Sequence, residues 1–355
     1  MNIRDVYNAK AIALVQTEVA SNKIAYLGAG LFPAKKKMGL DLKWIKTSKG
    51  LPVSLAPSSF DAVSTLRSRE GFKLTETEMA FFRESMLIKE SDEQEIMRVQ
   101  DSADPYAADV LARIFDDANT LVDGANVVPE RMIMQLLAPD DGNPKISIQA
   151  NGATYAYNYD PQNTYKQNNF ASISTSTDKW SDTTNSDPMA DVQKGLDAVE
   201  AATGERPTIM IVSRKTMDYL KQNAKIKSAI LAQNVTANIF MNDNRVKEVF
   251  SNELGISIIV YSKQYKKEDG TVEKFYPDGF ATLIPSGALG NTWYGTTPEE
   301  RTLMGRPDAD VSIVNTGVAV SVTVSEDPVQ TKTTVSEIVL PSYERMDSTY
   351  VIKCY

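Results

Sequence analysis

LDLKWIKTSKGLPVSLAPSSFDAVSTLRSREGFKL, residues 40–74, is the stretch that decides how this chain is organised. The apolar residues of LDLKW alternate with charged ones, and FKL at its end repeats the rhythm, which is the period of a half-buried strand. Between the two patterns lie the 24 residues from Thr47 to Glu70, with two prolines and no long apolar run. Compact domains rarely carry so long a loop unless it is functional or disordered, so the sequence predicts two strands that lead into and out of a long arm.

The composition is that of a globular protein. The chain has 355 residues, of which 42% are hydrophobic and 24% charged, enough for a substantial core and, we expect, two domains. No apolar run approaches the roughly 18 residues of a membrane span, and the first 22 residues lack the apolar region of a signal peptide. The single cysteine, Cys354, cannot form an internal disulfide, which favours a reducing compartment.

The absence of histidine narrows the possible chemistry. The sequence contains no histidine at all, which excludes Ser–His–Asp and Cys–His catalysis and zinc sites that need imidazole. The carboxylate clusters Asp140–Asp141 and Glu299–Glu300 leave a carboxylate-based hydrolase as one alternative. We interpret both clusters as exposed turns, because nothing in the sequence brings them together.

Charge is unevenly distributed along the chain. The net charge is −8, which argues against general nucleic-acid binding. Residues 1–50 hold nine basic and three acidic residues, a net +6, whereas residues 75–130 hold four and fourteen, a net −10. Such asymmetry is typical of chains that bind partners or copies of themselves. The run Lys35–Lys37 could mark a nucleic-acid patch, but a solvated or partner-facing strand edge is the better interpretation.

Local patterns predict most of the elements. Residues 1–22 resemble a partly helical arm with little to pack against locally, and 24–44 are strand-like. A helix with one apolar stripe begins near Pro105, is broken at Gly124 and resumes at Pro129. ISIQANGATYAYNY is a hairpin around Asn151–Gly152. Residues 160–186 are interpreted as a connection, helices and strands alternate after Asp187, and the strands after 311 rejoin the first domain.

Five collinear segments carry a family resemblance. They are LFPAKKKMGLDLKWIK, ERMIMQLLAPDDGNPKISIQANGATYAYNY, KWSDTTNSDPMADVQKGLDAVEAATGERPTIMIVSRKTMDYL, PDGFATLIPSGALGNTWYGTTPEE and SEDPVQTKTTVSEIVLPS. In this order they resemble the major capsid proteins of tailed bacteriophages, specifically the lambda major head protein group. The resemblance covers most of the chain, and only the interruption between Gly124 and Pro129 departs from the straight spine helix of that family.

The resemblance implies an α+β chain with the Hong Kong 97-like capsid fold. The expected parts are an N-terminal arm, an extended loop, a peripheral domain with a long helix and a sheet, and an α/β axial domain. The boundaries expected for this chain are 1–30 for the arm, 31–75 for the strand and loop, 76–160 for the peripheral domain, 161–186 for a connection, 187–315 for the axial domain and 316–355 for C-terminal strands returning to the peripheral domain.

The implied function is that of a shell subunit rather than an enzyme. Copies would form hexamers and pentamers of an icosahedral shell around double-stranded DNA, without sequence-specific binding, cofactor, metal or membrane. Scaffold and portal proteins are the expected partners, with a decoration protein as a further candidate. The virion, assembled in the host cytoplasm, is the expected location. An encapsulin-like compartment shares the fold and stays open as an alternative. The expected interface residues are Lys35, Lys36, Lys37, Lys43, Trp44, Arg67, Arg69, Asp109, Asp116 and Asp117.

Overall fold

The computed structural model describes most of the chain. Its described residues are 8–20, 26–45, 74–90, 94, 106–150, 153–231, 241–267, 269–302, 310–326 and 329–355. They fall into two compact units. The first comprises residues 1–43, 76–131 and 291–342, and the second comprises 44–75, 132–290 and 343–355. Within the described residues, no helix is both long and apolar enough to cross a membrane.

Helices and strands alternate irregularly along the chain. The helices are α1 (Ala9–Ala20), α2 (Leu27–Leu31), α3 (Tyr106–Leu137), α4 (Thr164–Asn168), α5 (Pro188–Thr203), α6 (Arg214–Gln222), α7 (Ala224–Leu231), α8 (Asp243–Leu254), α9 (Pro298–Thr302) and a 3₁₀ turn (Met346–Ser348). The strands are β1 (Ala34–Lys36), β2 (Asp41–Ile45), β3 (Leu74–Glu78), β4 (Ala80–Ile88), β5 (Lys145–Ala150), β6 (Ala153–Asn158), β7 (Phe170–Ser172), β8 (Ile209–Val212), β9 (Ser257–Val260), β10 (Gln264–Lys266), β11 (Val272–Lys274), β12 (Phe280–Ile284), β13 (Asn291–Tyr294), β14 (Asp310–Val314), β15 (Val318–Glu326), β16 (Val329–Ser342) and β17 (Tyr350–Lys353).

The first unit is built on a six-stranded sheet. Its order is β1-β13-β16-β15-β14, with β4 pairing along the other side of β16. One face of this sheet supplies the valines at 314, 318, 320, 322 and 335. They pack with Ala9 and Ile12 of α1 and with a stripe of α3 that includes Leu121 and Val122. The start of α1 therefore packs against elements more than 100 positions away in the sequence and not against its sequence neighbours.

Helix α3 corrects a second expectation. It runs without a break from Tyr106 to Leu137, with Gly124 and Pro129 inside it. Apolar residues at 118, 121, 122 and 125 are buried before Pro129, and those at 132, 133, 136 and 137 are buried after it. An interior proline costs about 3 kcal/mol and a glycine about 1. Each buried apolar side chain contributes about 1.5–3 kcal/mol, so burial on both sides of Pro129 outweighs the two helix breakers.

The second unit contains a five-stranded sheet of order β7-β17-β12-β8-β9. Helix α5 packs on it and begins as the sequence indicates, with the Asp187 side chain accepting a bond from the Ala190 amide. It ends at Gly204, whose φ of 71° is the left-handed conformation of a helix C-cap. The stretch 160–186 is not a loose connection as expected. It forms α4 and β7 and buries Trp180 completely in the core of this unit.

Two further stretches differ from the sequence expectation. Residues 27–31, which lie in the stretch 24–44 interpreted as strand-like, form the short helix α2. The C-terminal strands divide, because β14 to β16 lie in the first sheet while β17 pairs with β12 and β7 of the second. Residues 132–160 belong to the second unit and 291–315 to the first, so the expected boundaries at 160, 315 and 316 differ from the structure.

The strands that flank the predicted arm are present. β2 and β3 pair with each other as a two-stranded ribbon, and the Met79 amide donates to the Leu40 carbonyl oxygen at 2.9 Å at the base of that ribbon. Residues 46–73, which include the predicted arm, lie outside the described residues.

Candidate subunit interface

The basic run of the sequence lies on an edge strand of the first sheet. β1 pairs in parallel with β13, with Lys35 opposite Trp293 and Lys36 opposite Tyr294. The Lys37 amide extends the ladder by donating to the Tyr294 carbonyl oxygen at 2.8 Å. Just before the strand, the buried Glu130 carboxylate accepts a bond of 2.9 Å from the Gly28 amide in the first turn of α2. An anion at a helix N-terminus is favourable, so α3 holds the segment that leads into β1.

The three lysines of this run differ in their partners. The Lys36 ammonium forms an ion pair of 2.6 Å with Glu300 of the same chain. The Lys35 ammonium lies 5.5 Å from the centroid of the Trp293 ring, within the range of a cation–π contact. Lys35 and Lys36 are exposed and Lys37 is half-buried. The run therefore lies on a largely exposed strand edge, in which Lys36 already has an acidic partner.

Apolar side chains stand exposed directly after this run. Met38 has 90% of its surface exposed and Leu40 has 48%. Single exposed apolar residues are ordinary on protein surfaces. These two, however, adjoin three lysines at the base of the β2–β3 ribbon, so one short segment presents both cations and apolar surface. The charge pattern of the sequence predicts the lysines as interface residues, but no sequence pattern indicates that Met38 is exposed.

The acidic candidates lie on α3. Asp116 is exposed, on the side of the helix away from the buried stripe of Ala118, Leu121 and Val122. Asp109 and Asp117 are on the same helix, but their side chains lie outside the described set, as do those of Lys43 and Trp44 on β2. Arg67 and Arg69 fall within 46–73 and lie outside the described residues altogether. The structure thus places Lys35, Lys36, Lys37 and Asp116 on the surface of the first unit and does not test the other six.

The two carboxylate clusters are occupied by ion pairs. Asp140 pairs with Lys353 at 2.7 Å and Asp141 with Lys145 at 2.6 Å. Its hydrogen bond with Lys145 holds the pKa of the Asp141 carboxyl below its ordinary value. A glycosidase acid needs the opposite shift, so this cluster does not favour the hydrolase alternative.

The cluster at Glu299 corrects the expectation of an exposed turn. Glu299 is buried at the start of α9, where it pairs with Arg83 at 2.5 Å and accepts a hydrogen bond of 2.7 Å from the Ser336 hydroxyl. The pair ties α9 to β4 and β16. Among the described residues, no group of three or more acidic or cysteine side chains could hold a metal ion.

Comparisons with solved structures identify the fold. The chain is similar to a phage-related protein from Bordetella bronchiseptica RB50, with 14% identity, a TM-score of 0.56 and 96% of each chain covered. It is equally similar to a protein assigned as a prophage capsid protein from E. coli CFT073, with 15% identity, a TM-score of 0.56 and coverage of 98% and 99%. The capsid subunit of cyanophage A-1(L) matches with 10% identity, a TM-score of 0.52 and coverage of 92% and 91%. These likenesses show that the chain has the Hong Kong 97-like capsid fold.

A family model decides membership. The search of curated proteins found no match. The model described as phage major capsid protein E matches residues 15–353, which is nearly the whole chain. The resemblance to tailed-phage major capsid proteins is thereby confirmed, and the chain belongs to the phage major capsid protein E family.

Proposed function

We propose that this capsid protein assembles as hexamers and pentamers into an icosahedral shell that encloses the double-stranded DNA of a tailed bacteriophage. The observation that carries the proposal is the family match over residues 15–353, in a chain whose fold matches solved capsid structures over more than nine tenths of its length. Membership of a structural capsid family implies a non-enzymatic role and a place in the virion.

The arm supplies a physical route to assembly. A loop of 24 residues between paired strands has about 12 residues on each side, and at about 3.3 Å per residue these reach roughly 40 Å. A body of some 250 residues has a radius of gyration of only about 18 Å. A segment of that length is therefore long enough to reach a neighbouring copy. Closed symmetry then repeats the same contact at every equivalent interface.

The remaining partners follow from the same role. Scaffold and portal proteins would act during assembly in the host cytoplasm, and a decoration protein could bind the finished shell. The net charge of −8 is compatible with an inner shell surface that encloses DNA without binding it tightly. Tight binding of the DNA phosphate backbone would require a basic surface.

Nuclease protection tests the enclosed cargo. Particles that contain this chain would be purified from a lysate of phage-producing cells, treated with nuclease, and then opened. We expect protected double-stranded DNA of uniform length, and we expect the same DNA to be degraded when the particles are opened before nuclease treatment. Particles that hold a cargo enzyme and no protected DNA would contradict the proposal and favour the encapsulin-like compartment.

A further inference from the structure

The sheet of the first unit contains a buried carboxyl group that belongs to neither of the two carboxylate clusters described above. Glu337 lies on β16 and is only 1% exposed. Among the residues that the structure describes, neither of its carboxyl oxygens has a hydrogen-bond partner. Buried polar groups are nearly always paired, and burying an isolated carboxylate is costly enough that the group takes up a proton instead.

The strand register shows what surrounds this side chain. Alternate residues of a strand share a face, so Glu337 points to the same side of the sheet as Val335 and Val339, both buried. Phe82 of β4 stands directly opposite Glu337. This is the face that α1 and α3 cover, because Val335 belongs to the cluster formed with Ile12 and Leu121.

The residues beside Glu337 on the adjacent strand β13 are closely packed. Tyr294 on β13 stands opposite Val339 and rests against Gly317, where an added methyl group would come within 2.4 Å of the Tyr294 Cβ. Burial raises the pKa of Tyr294, and the adjacent Glu337 raises it further. The phenol and the carboxyl are therefore electrostatic neighbours, and a charged Glu337 disfavours ionisation of the Tyr294 phenol.

The charged groups on the surrounding elements do not neutralise Glu337. Asp310 of β14 accepts a bond from the Ala9 amide, and Glu130 of α3 accepts one from the Gly28 amide. Glu84 of β4, opposite Val335, is exposed, and its charge has the same sign as that of an ionised Glu337. Among the described residues no cation lies against the Glu337 carboxyl, and burial is the cause that raises its pKa well above the ordinary value.

We propose that Glu337 is a proton-binding site built into the sheet of the first unit, and that its ionisation loosens the packing of α1 and α3 on that sheet. A folded-state pKa above the unfolded value means that the folded form binds more protons. The protonated Glu337 stabilises the folded form fully below about pH 4.5, the ordinary range of a glutamate pKa. This stabilisation is lost as the pH rises toward the folded-state pKa. The inference concerns the subunit itself and does not depend on what the shell contains.

Hydrogen exchange of the β16 amides tests the site in the full-length chain. Opening equilibria would be measured between pH 5 and pH 8 and corrected for the intrinsic exchange rate. We expect the opening constant of the wild type to rise by up to about tenfold per pH unit. This dependence should be absent in Glu337→Gln and Glu337→Leu, which cannot ionise. Glu84→Gln, an exposed acid on the adjacent strand, is the matched control and should keep the wild-type dependence.

Two results would overturn the proposal. The first is an equal pH dependence in the wild type and the Glu337 variants. The second result comes from an experiment on the wild type alone, which decides the question even if neither variant folds. Infrared spectroscopy of the folded chain at pH 7 should show the carbonyl band of a protonated carboxyl group. A spectrum without that band would mean that Glu337 is ionised and that no proton-binding site exists.

Discussion

At the scale of single residues, two helical glycines show how the same substitution acts in opposite directions. A methyl group on Gly195 of α5 would lie 2.8 Å from the Tyr350 ring and 2.9 Å from the Leu283 side chain. Gly195 is buried, so its lack of a side chain lets α5 approach β12 and β17 closely. Gly124 of α3 is exposed and has nothing within 4 Å of the same position.

We expect Gly195→Ala to lower the free energy of unfolding by about 1–3 kcal/mol, because overpacking a tight core forces neighbours to shift. Gly124→Ala should raise it by about 0.5–1 kcal/mol, because alanine loses less conformational freedom in a helix. Chemical unfolding of the two variants beside the wild type gives both values. A Gly195→Ala protein as stable as the wild type would show that α5 packs less tightly than the contacts indicate.

At the scale of elements, a single side chain ties the β5–β6 hairpin to helix α3. The Gln135 amide nitrogen donates to the Ser147 carbonyl oxygen at 3.2 Å, and the Gln135 amide oxygen accepts from the Ser147 amide at 3.0 Å. Gln135 thus takes the place of a neighbouring strand along the outer edge of β5. The hairpin pairs with no further strand among the described residues.

Removing this tie should loosen the hairpin. Each net hydrogen bond contributes about 0.5–1.5 kcal/mol, so Gln135→Ala should speed exchange of the Ser147 amide by roughly one to two powers of ten. Gln135→Glu keeps the size of the side chain but cannot donate when ionised, so we expect it to restore only part of the protection. Hydrogen exchange of residues 145–150 measures the effect. Unchanged exchange in Gln135→Ala would mean that packing alone holds the hairpin.

Elements with local signals were predictable from sequence. The hairpin follows from alternation around Asn151–Gly152, and α5 follows from Asp187, Pro188 and Gly204, whose capping roles depend only on nearby residues. The 160–186 stretch was misinterpreted because its polar composition says nothing of the distant β17 that pairs with β7. The continuity of α3 was missed because helix propensity disfavours it and only tertiary burial overrides that preference.

The candidate interface was predictable only in part. The lysine run and its place on a strand edge follow from the sequence pattern. The pairing of Lys36 with Glu300 joins residues 264 positions apart, and no local signal could have shown it. The burial of Glu299 could not be predicted for the same reason. Its partners Arg83 and Ser336 belong to strands that are far away in the sequence.

At the scale of the whole molecule, the charge asymmetry predicts salt-sensitive assembly. Within the described part of the chain, Lys35 and Lys37 have no acidic partner, whereas Lys36 pairs with Glu300. Asp116 is the described candidate for an acidic partner on a neighbouring copy. Each exposed pair contributes only about 0.2–1 kcal/mol, but the contact recurs throughout a closed shell. Screening weakens it, because the Debye length falls from about 10 Å at 0.1 M salt to about 3 Å at 1 M.

We expect a Lys35→Glu, Lys37→Glu double variant to fold normally and to assemble poorly at low salt, with the defect shrinking as salt rises. Lys166→Glu, which reverses an exposed lysine on α4, is the matched control and should assemble like the wild type. Sedimentation of assembled particles across salt concentrations measures the yield. Normal low-salt assembly of the double variant would show that the run is only a solvated edge.

The most direct test of the account is electron microscopy of the purified full-length chain under assembly conditions, with its scaffold protein present. We expect closed, hollow shells of uniform diameter, with capsomers of five and six subunits visible in averaged images. A chain that stays a monodisperse monomer under the same conditions would contradict the conclusion that this protein builds a capsid.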